Sequence, residues 1–258
     1  MSKFRSVVFG LLVLLAESCG GGGSKGGGSP ASLAPSVFAD RVIQFVPINS
    51  RGATAGEWPY FFDASVTLGA PGGVLDVASL GYTVTAGFDA TQGYDPTPAA
   101  ALGGQIVLGL GDVDGHRCIV DGPGDDLAVY ENAFRTTDVD GNKGTNNELA
   151  LVEVSEDLVT WHAFPVAIDA SRPLIDPARY TGFAGVVPAA EGGDRFDLAA
   201  VIAADGLPAE FQACYVRLTD AGTRYADYGN TQSDLWASGA DIDAVEALHS
   251  AAAPAQVP

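Results

Sequence analysis

Acidic residues crowd the start of one apolar segment, "IVDGPGDDLAVYENAF", at residues 119–134. Asp121, Asp125 and Asp126 lie in a Gly/Pro turn just before the apolar run at 127–130. Backbone and side-chain oxygens can converge in such a turn, and calcium binds six to eight oxygen ligands at loosely specified angles. The three carboxylates therefore form either a calcium site or a solvated acidic turn.

A second acidic stretch, "DVDGNKGTNNE" at residues 138–148, has the spacing of a calcium-binding loop. Asp138, Asp140 and Asn142 occupy positions 1, 3 and 5, and Glu148 lies near the position of the closing carboxylate. The stretch is not an EF-hand, because a lysine stands where that loop needs glycine and a strand follows it. Structural calcium at one of the two stretches is the predicted cofactor, with a solvated acidic turn as the alternative.

Motifs for catalysis are scarce in this sequence. The three histidines, His116, His162 and His249, do not form a zinc-spaced pair such as HExxH. Neither a GxSxG elbow nor a Cys-His motif occurs. Among 32 acidic residues some pair of carboxylates is inevitable, so such a pair does not by itself indicate a glycosidase. We therefore expect no enzymatic activity, and a glycan-cleaving enzyme is the least favoured hypothesis.

The elements that must position these residues are short strands separated by Gly, Pro, Asn and Asp. Alternation places Ile106, Leu108 and Leu110 on one face of a strand, and it places Val216 and Leu218 on one face of another. Further strands are expected at 41–46, 74–80, 126–131, 148–154, 160–164 and 241–248, with one short helix at 196–205. Many short strands with turn residues between them predict an all-β protein, an antiparallel β-sandwich or jelly roll.

The N-terminus has the features of an export signal. Lys3 and Arg5 precede an apolar run at 7–16 that is too short to span a bilayer, and Cys19 directly follows Ser18. This arrangement resembles a bacterial lipoprotein signal, which implies a lipidated cysteine and delivery to the outer membrane or cell surface. Ordinary secretion, with the cysteine left over, is the alternative.

The chain divides into four predicted segments. A signal peptide at 1–18 is followed by the lipidated cysteine and a flexible Gly/Ser/Pro tether at 19–36. A β-sandwich domain at 37–249 and a disordered tail at 250–258 complete the chain.

The charge balance limits the partners of this protein. Lys and Arg number 13 against 32 Asp and Glu, a formal charge of -19 at pH 7. Such a surface repels nucleic acid and anionic lipid head groups, so the membrane is a partner only through the lipid anchor. Divalent cations and neutral ligands remain, although acidity can also serve only to keep an exported protein soluble.

Two cysteines, Cys118 and Cys214, remain in the folded domain. In an oxidising compartment they are expected to form a disulfide that closes a long loop, which stabilises by about 4 to 5 kcal/mol on the chain-entropy model. Two free buried thiols are the competing interpretation, because Cys214 shares its strand face with Val216 and Leu218.

The two most distinctive segments are "VDGPGDDLAVYEN" at 120–132 and "VEVSEDLVTWHAFP" at 152–165. In the order in which they occur, they resemble a group of bacterial exported cell-surface proteins of the deltaproteobacterial type, largely of unassigned function. The second segment also resembles a strand pair, "VSxDGxxW", of discoidin-like and carbohydrate-binding jelly rolls. In jelly-roll modules the terminal strand often runs near a structural ion, so the resemblance implies Asp243 as a metal ligand.

Aromatic residues in loop-like contexts are the remaining indication of function. They are Trp58, Tyr60, Tyr225, Tyr228 and Trp236. Exposed aromatic rings beside Asn, Gln and Asp are suited to stacking on sugars and hydrogen-bonding them. As a group they predict a ligand-binding surface, although each ring alone could instead pack a loop onto the sandwich.

These observations together predict a lipid-anchored cell-surface protein that displays a ligand-binding β-sandwich. The expected ligand is a glycan or another small extracellular molecule, and calcium is expected to stabilise the domain. A structural or adhesive envelope protein without a small-molecule site is the alternative.

Overall fold

Short antiparallel strands account for most of the ordered secondary structure, as the alternating sequence patterns predict. The fold class is thus confirmed as all-β, in a sandwich built from one large curled sheet. The computed structural model describes residues 37–47, 63–72, 77–81, 102–111, 117–222, 224–225 and 239–252.

The strands are numbered in chain order among the described residues. They are β1 (Val37–Val46), β2 (Ala78–Ser79), β3 (Gln105–Leu110), β4 (Arg117–Val120), β5 (Leu127–Glu131), β6 (Phe134–Thr137), β7 (Lys143–Asn146), β8 (Ala150–Ser155), β9 (His162–Ala163), β10 (Ala167–Ile168), β11 (Tyr180–Thr181), β12 (Phe183–Ala184), β13 (Asp194–Phe196), β14 (Gln212–Ala213), β15 (Tyr215–Asp220), β16 (Asp241–Ala247) and β17 (Ser250–Ala252). The helices are α1 (Leu198–Asp205) and three 3-10 turns at Ala64–Thr67, Pro177–Arg179 and Ala189–Glu191.

The large sheet has the strand order β12-β8-β15-β3-β1-β16-β5-β13, and its neighbouring strands are antiparallel. Strand β1 joins two halves of this sheet, β12-β8-β15-β3 on one side and β16-β5-β13 on the other. Val37 and Phe38 pair with β16, whereas the rest of the strand pairs with β3. A register shift between Ala39 and Arg41 marks the change of partner. Such an irregularity bends a strand, and here it lets the sheet curl into a sandwich.

The main core lies between the two halves of the curled sheet. Ile106 and Leu108 of β3 and Leu218 of β15 are fully buried, as their alternation predicts. They belong to the same apolar cluster as Leu127 of β5 and Ile242 of β16 from the other half. Burial of these apolar side chains is the main force that holds the halves together.

The predicted helix is present as α1, at the edge of the sandwich. Asp197 begins the helix by accepting a hydrogen bond from the Ala199 N–H (2.9 Å), and Gly206 ends it in the left-handed conformation (φ 65°). Leu198 and Val201 are the buried side chains of the helix. Among the described residues, no helix is long and apolar enough to span a membrane.

The C-terminal boundary of the domain differs from the prediction. Ser250–Ala252 forms β17 and pairs with β4, so the start of the predicted disordered tail belongs to a three-stranded sheet with β14. Strand pairing joins backbone groups and needs no apolar pattern, which is why the small residues here gave no strand signal. Residues 253–258 lie outside the described residues.

A disulfide joins this small sheet to the large one. Cys118 of β4 is bonded to Cys214, the residue before β15, with an S–S distance of 1.97 Å. The bond spans 96 residues of sequence, and Cys118 is fully buried. The predicted bridge is therefore present, rather than two free thiols.

Candidate functional site

The acidic turn at residues 121–126 is organised around the fully buried Asp126. The Gly122 N–H donates to its Oδ1 (2.8 Å) and the Leu198 N–H donates to its Oδ2 (2.8 Å). His249 Nδ1 lies 2.7 Å from Oδ1. Asp126 thus ties its own turn to the start of α1 and to the end of β16, so its first role is structural.

Three carboxylates meet beside this turn. One oxygen each from Asp121, Asp126 and Asp197 lies within 4.8 Å of the other two, so the group could hold a metal ion. Asp125, the third carboxylate predicted for this site, is exposed and is not part of the group. Asp197 was not among the predicted ligands, because it is brought here from more than seventy residues away by the Asp126 contact with α1.

The electrostatics of the turn favour a bound cation. Partial burial raises the pKa of Asp121, and the nearby Asp126 and Asp197 raise it further, whereas His249 lowers it. A cation between the carboxylates would relieve their repulsion. The hydrogen bonds of Asp126 and the capping role of Asp197 leave fewer free lone pairs than a dedicated metal cage provides.

The predicted calcium loop at residues 138–148 is a different structure. It is a hairpin in which Thr137 of β6 pairs with Lys143 of β7. Asp138 Oδ1 accepts hydrogen bonds from the backbone N–H groups of Asp140 (3.0 Å) and Asn142 (2.8 Å), and the Asn142 side-chain amide donates to Oδ2 (2.8 Å). Both oxygens of Asp138 are therefore used within the loop, and the hydrogen bond from Asn142 lowers its pKa.

Glu148 cannot close this loop as predicted. The four residues of β7 separate it from the hairpin tip, which corresponds to roughly 13 Å of extended chain. The grouping of Asp138, Asp140, Asn142 and Glu148 around one ion is thus wrong. The residue spacing matches a calcium loop, but strand β7 begins directly after the loop tip and places Glu148 beyond the far end of the hairpin.

Most of the predicted aromatic ligand site lies outside the described residues. This applies to Trp58, Tyr60, Tyr228 and Trp236, and also to the lipidation residue Cys19. Tyr225 is described and is half-buried, with its ring edge-to-face against Phe183 (5.1 Å between centroids). Its ring packs against the sandwich, so Tyr225 is better explained by loop packing than by ligand stacking.

A cleft opens where β5, β6 and β16 meet the 3-10 turn Ala189–Glu191. Its volume is about 560 Å³. It is lined by Pro71, Gly72, Asn132, Ala133, Phe134, Arg135, Pro188, Ala189, Ala190, Glu191 and Asp243. Most of this lining is apolar, and Phe134 is 55% exposed.

Sheet pairing explains why these segments meet. The end of β5 pairs with the start of β16, and a parallel bridge joins Glu131 to Pro188. The Asp243 side chain then reaches the other wall, where its Oδ1 accepts a hydrogen bond from the Gly72 N–H (2.8 Å). Asp243, predicted as a metal ligand, therefore lies in the cleft wall.

One ion pair fixes the rim of the cleft. The Arg135 guanidinium makes two hydrogen bonds to the Glu191 carboxylate, one of them from Nε to Oε1 (2.8 Å), and Nη1 donates to Thr145 Oγ1 (2.9 Å). This contact raises the pKa of Arg135 and lowers that of Glu191. Both side chains are about half exposed, so the pair contributes more to geometry than to stability.

The cleft contains two carboxylates, Glu191 and Asp243, beside an aromatic ring. Glycoside hydrolysis needs one carboxyl group with a raised pKa to act as a general acid. The pKa of Glu191 is lowered by Arg135, so this side chain is poorly suited to that role.

A second hollow continues from the rim along the β6–β7 hairpin. Its volume is about 390 Å³, and it shares Arg135 with the cleft at Phe134. Thr136, Thr137, Lys143 and Gly144 line the remainder. The two hollows together would accommodate an elongated ligand.

Sequence patterns did not single out Phe134, Arg135 and Glu191. The phenylalanine follows an apolar strand, and nothing in the local sequence distinguishes an exposed ring there from a buried one. The partner of Arg135 lies 56 residues away, so their contact depends on the sheet topology.

No protein-family profile matches this chain, and no curated protein shows significant similarity to it. The resemblance to bacterial exported cell-surface proteins therefore stays a prediction.

Proposed function

We propose that this protein is an exported, lipid-anchored surface protein whose β-sandwich binds a glycan or another small extracellular ligand. The proposed binding site is the cleft beside Phe134. The observation that carries the proposal is this cleft of about 560 Å³, in which a largely exposed ring stands among a few polar groups. Small-molecule sites typically have volumes of about 300–1,000 Å³ and combine an apolar lining with few oriented polar groups.

The chemistry of the lining favours a neutral, hydroxyl-rich ligand. The ring of Phe134 offers a flat apolar face, and the Arg135–Glu191 pair offers both donors and acceptors at the rim. The formal charge of -19 disfavours polyanionic ligands. A neutral saccharide meets both conditions, and the second hollow would hold a further sugar unit.

Calcium bound by Asp121, Asp126 and Asp197 belongs to the same proposal, in a structural role. The three carboxylates that could hold an ion join the acidic turn to α1, away from the residues that line the cleft. Calcium suits them because it accepts irregular sets of oxygen ligands and completes its shell with water.

A glycan array probed with the labelled full chain tests the binding proposal. We expect at least one neutral glycan to bind wild-type protein and to be lost or at least tenfold weaker with Phe134→Ala. Val139→Ala is the matched control, because Val139 is 94% exposed on the same hairpin but does not line the cleft. Equal binding by all three proteins would contradict the site, and no bound glycan would favour the structural or adhesive alternative.

A further inference from the structure

Four carboxylates are gathered at one end of the sandwich, apart from the acidic turn. Glu131 ends β5, Asp194 begins β13, Asp241 begins β16 and Asp220 ends β15. The antiparallel pairing of β5 with β13 and β16 brings the first three to the same sheet end. Glu131, Asp194 and Asp220 are almost wholly buried, with at most 7% exposure.

Two of the four carboxylates are explained by the backbone around them. Asp194 accepts hydrogen bonds from the three N–H groups of residues 185–187 at 2.8–3.2 Å. Asp220 accepts from the N–H groups of Gly222 (2.6 Å) and Ala240 (2.6 Å). Each of these side chains therefore shapes a turn, and both of its oxygens are occupied.

The other two carboxylates each keep a buried oxygen without a partner. Glu131 is 1% exposed, and its carboxylate interacts with the N–H groups of Asp241 (3.1 Å from Oε1) and Ala133. Its Oε2 has no partner at hydrogen-bond geometry among the described residues. Asp241 is hydrogen-bonded to Ser79, yet its buried Oδ1 likewise lacks a partner there. Leaving such a group unpaired in the interior costs about 1–3 kcal/mol or more, so two on adjacent strands call for a ligand.

Gly185 lies near both Glu131 Oε2 and the backbone oxygen of Glu148. A Cβ atom added at Gly185 would lie 3.5 Å from Glu131 Oε2 and 2.0 Å from the backbone oxygen of Glu148. Gly185 also has a positive φ of 87°, which favours glycine at this position. The glycine therefore keeps a side chain away from the Glu148 carbonyl oxygen and from Glu131 Oε2.

Other carboxylates and backbone N–H groups are the main electrostatic neighbours of these four side chains among the described residues. The interactions that shift their pKa values come from other carboxylates, from backbone N–H groups and from Ser79, with no Arg, Lys or His among the described residues. Burial raises the pKa of Asp194, Asp220 and Asp241 to about 7 each, and it raises that of Glu131 well above its usual value. Deprotonation of the whole group would therefore need a compensating cation, whereas without one these side chains hold protons.

We propose that Glu131 and Asp241 hold a divalent cation through their two unpartnered oxygens, with calcium as the ion that fits best. Calcium takes carboxylate, carbonyl and water oxygens in flexible geometry, whereas magnesium demands near-ideal octahedral geometry. Asn132 follows Glu131, and Asp243 lies two residues after Asp241; both line the cleft. The ion would therefore stabilise the buried side of the cleft wall. This site does not depend on the proposed glycan function, and it is separate from the group at Asp121.

Thermal unfolding of the full chain at pH 7.5, in EDTA and with added calcium, tests the site. Free calcium at roughly 100 times its Kd is expected to raise the Tm of the Asp121→Asn variant, whose acidic turn no longer offers three carboxylates, by about 5–10 °C. Glu131→Gln and Asp241→Asn, each added to Asp121→Asn, should abolish this shift, since each removes a charged ligand. The exposed Asp125→Asn is the matched control and should keep it.

Stability in EDTA separates a cation site from a purely structural role. Without metal, Glu131→Gln and Asp241→Asn should melt at or above the wild-type Tm, because each variant removes a buried charge. Calcium titration of Asp121→Asn by calorimetry should still show one bound ion per chain, even if Glu131→Gln fails to fold. A calcium shift that survives when Asp241→Asn is added to Asp121→Asn, or no calcium bound by Asp121→Asn alone, would overturn the proposal.

Discussion

Substitution of Asp126 by asparagine is the sharpest test of how the acidic turn is held. The carboxylate accepts from Gly122 and His249 at one oxygen and from Leu198 at the other. An asparagine amide has a single oxygen, so one buried donor must face an NH2 group. A hydrogen bond to a carboxylate contributes about 1.5–3 kcal/mol, and an unsatisfied buried donor costs about 1–3 kcal/mol. We therefore expect Asp126→Asn to lower the free energy of unfolding by about 3 kcal/mol.

Urea unfolding in EDTA, followed by circular dichroism, measures this loss without any contribution from metal. In a thermal scan the same loss corresponds to a Tm lower by roughly 6–12 °C for a domain of this size. Asp125→Asn is the control, because its exposed side chain should change stability by no more than about 0.5 kcal/mol. A loss below about 1 kcal/mol for Asp126→Asn in EDTA would refute the structural role and would leave ion binding as the main role of this residue.

Three further predictions concern the disulfide, the buried acids and the hairpin loop. Replacing both Cys118 and Cys214 by serine should cost about 4.7 kcal/mol in urea unfolding, the chain-entropy value for a loop of 96 residues, and a cost below about 1 kcal/mol would contradict it. In EDTA, the free energy of unfolding should fall as pH rises from about 5 to 7. Burial raises the folded-state pKa of Asp194 and Asp220 to about 7, above the unfolded value of about 3.9. The native state therefore binds more protons than the unfolded state in this range, and it loses this advantage as pH rises. Urea unfolding at several pH values would contradict this if stability rose instead. Asp138→Asn should leave calcium affinity in calorimetry unchanged, since the loop uses this carboxylate for its own hydrogen bonds; a clear loss would restore the loop as a calcium site.

Periodic patterns in the sequence were enough to predict the sandwich core. The alternation of Ile106 and Leu108 predicts strand β3, and the short apolar segment at 196–205 predicts α1, because both signals can be seen in a short stretch of sequence. Strand β17 escaped prediction because its small residues show no apolar alternation, and its backbone pairing with β4 does not require one.

The candidate sites were harder to predict because they depend on distant partners. Asp197 joins Asp121 only through the contact between α1 and Asp126. Acidic residues are usually expected on the surface, yet Glu131 is buried where β16 pairs with it on one side and Pro188 bridges to it. The spacing of acidic residues around Asp138 predicted a calcium loop, but spacing does not show where the next strand begins. Strand β7 begins right after this loop and keeps the Glu148 carboxylate from Asp138.

A crystal structure of the full chain with the glycan selected by the array would show directly whether the cleft at Phe134 binds sugar. We expect density for the sugar against the exposed side chain of Phe134, with hydroxyl groups hydrogen-bonded to Arg135 or Glu191. A ligand bound elsewhere, with the cleft at Phe134 filled only by water, would contradict it.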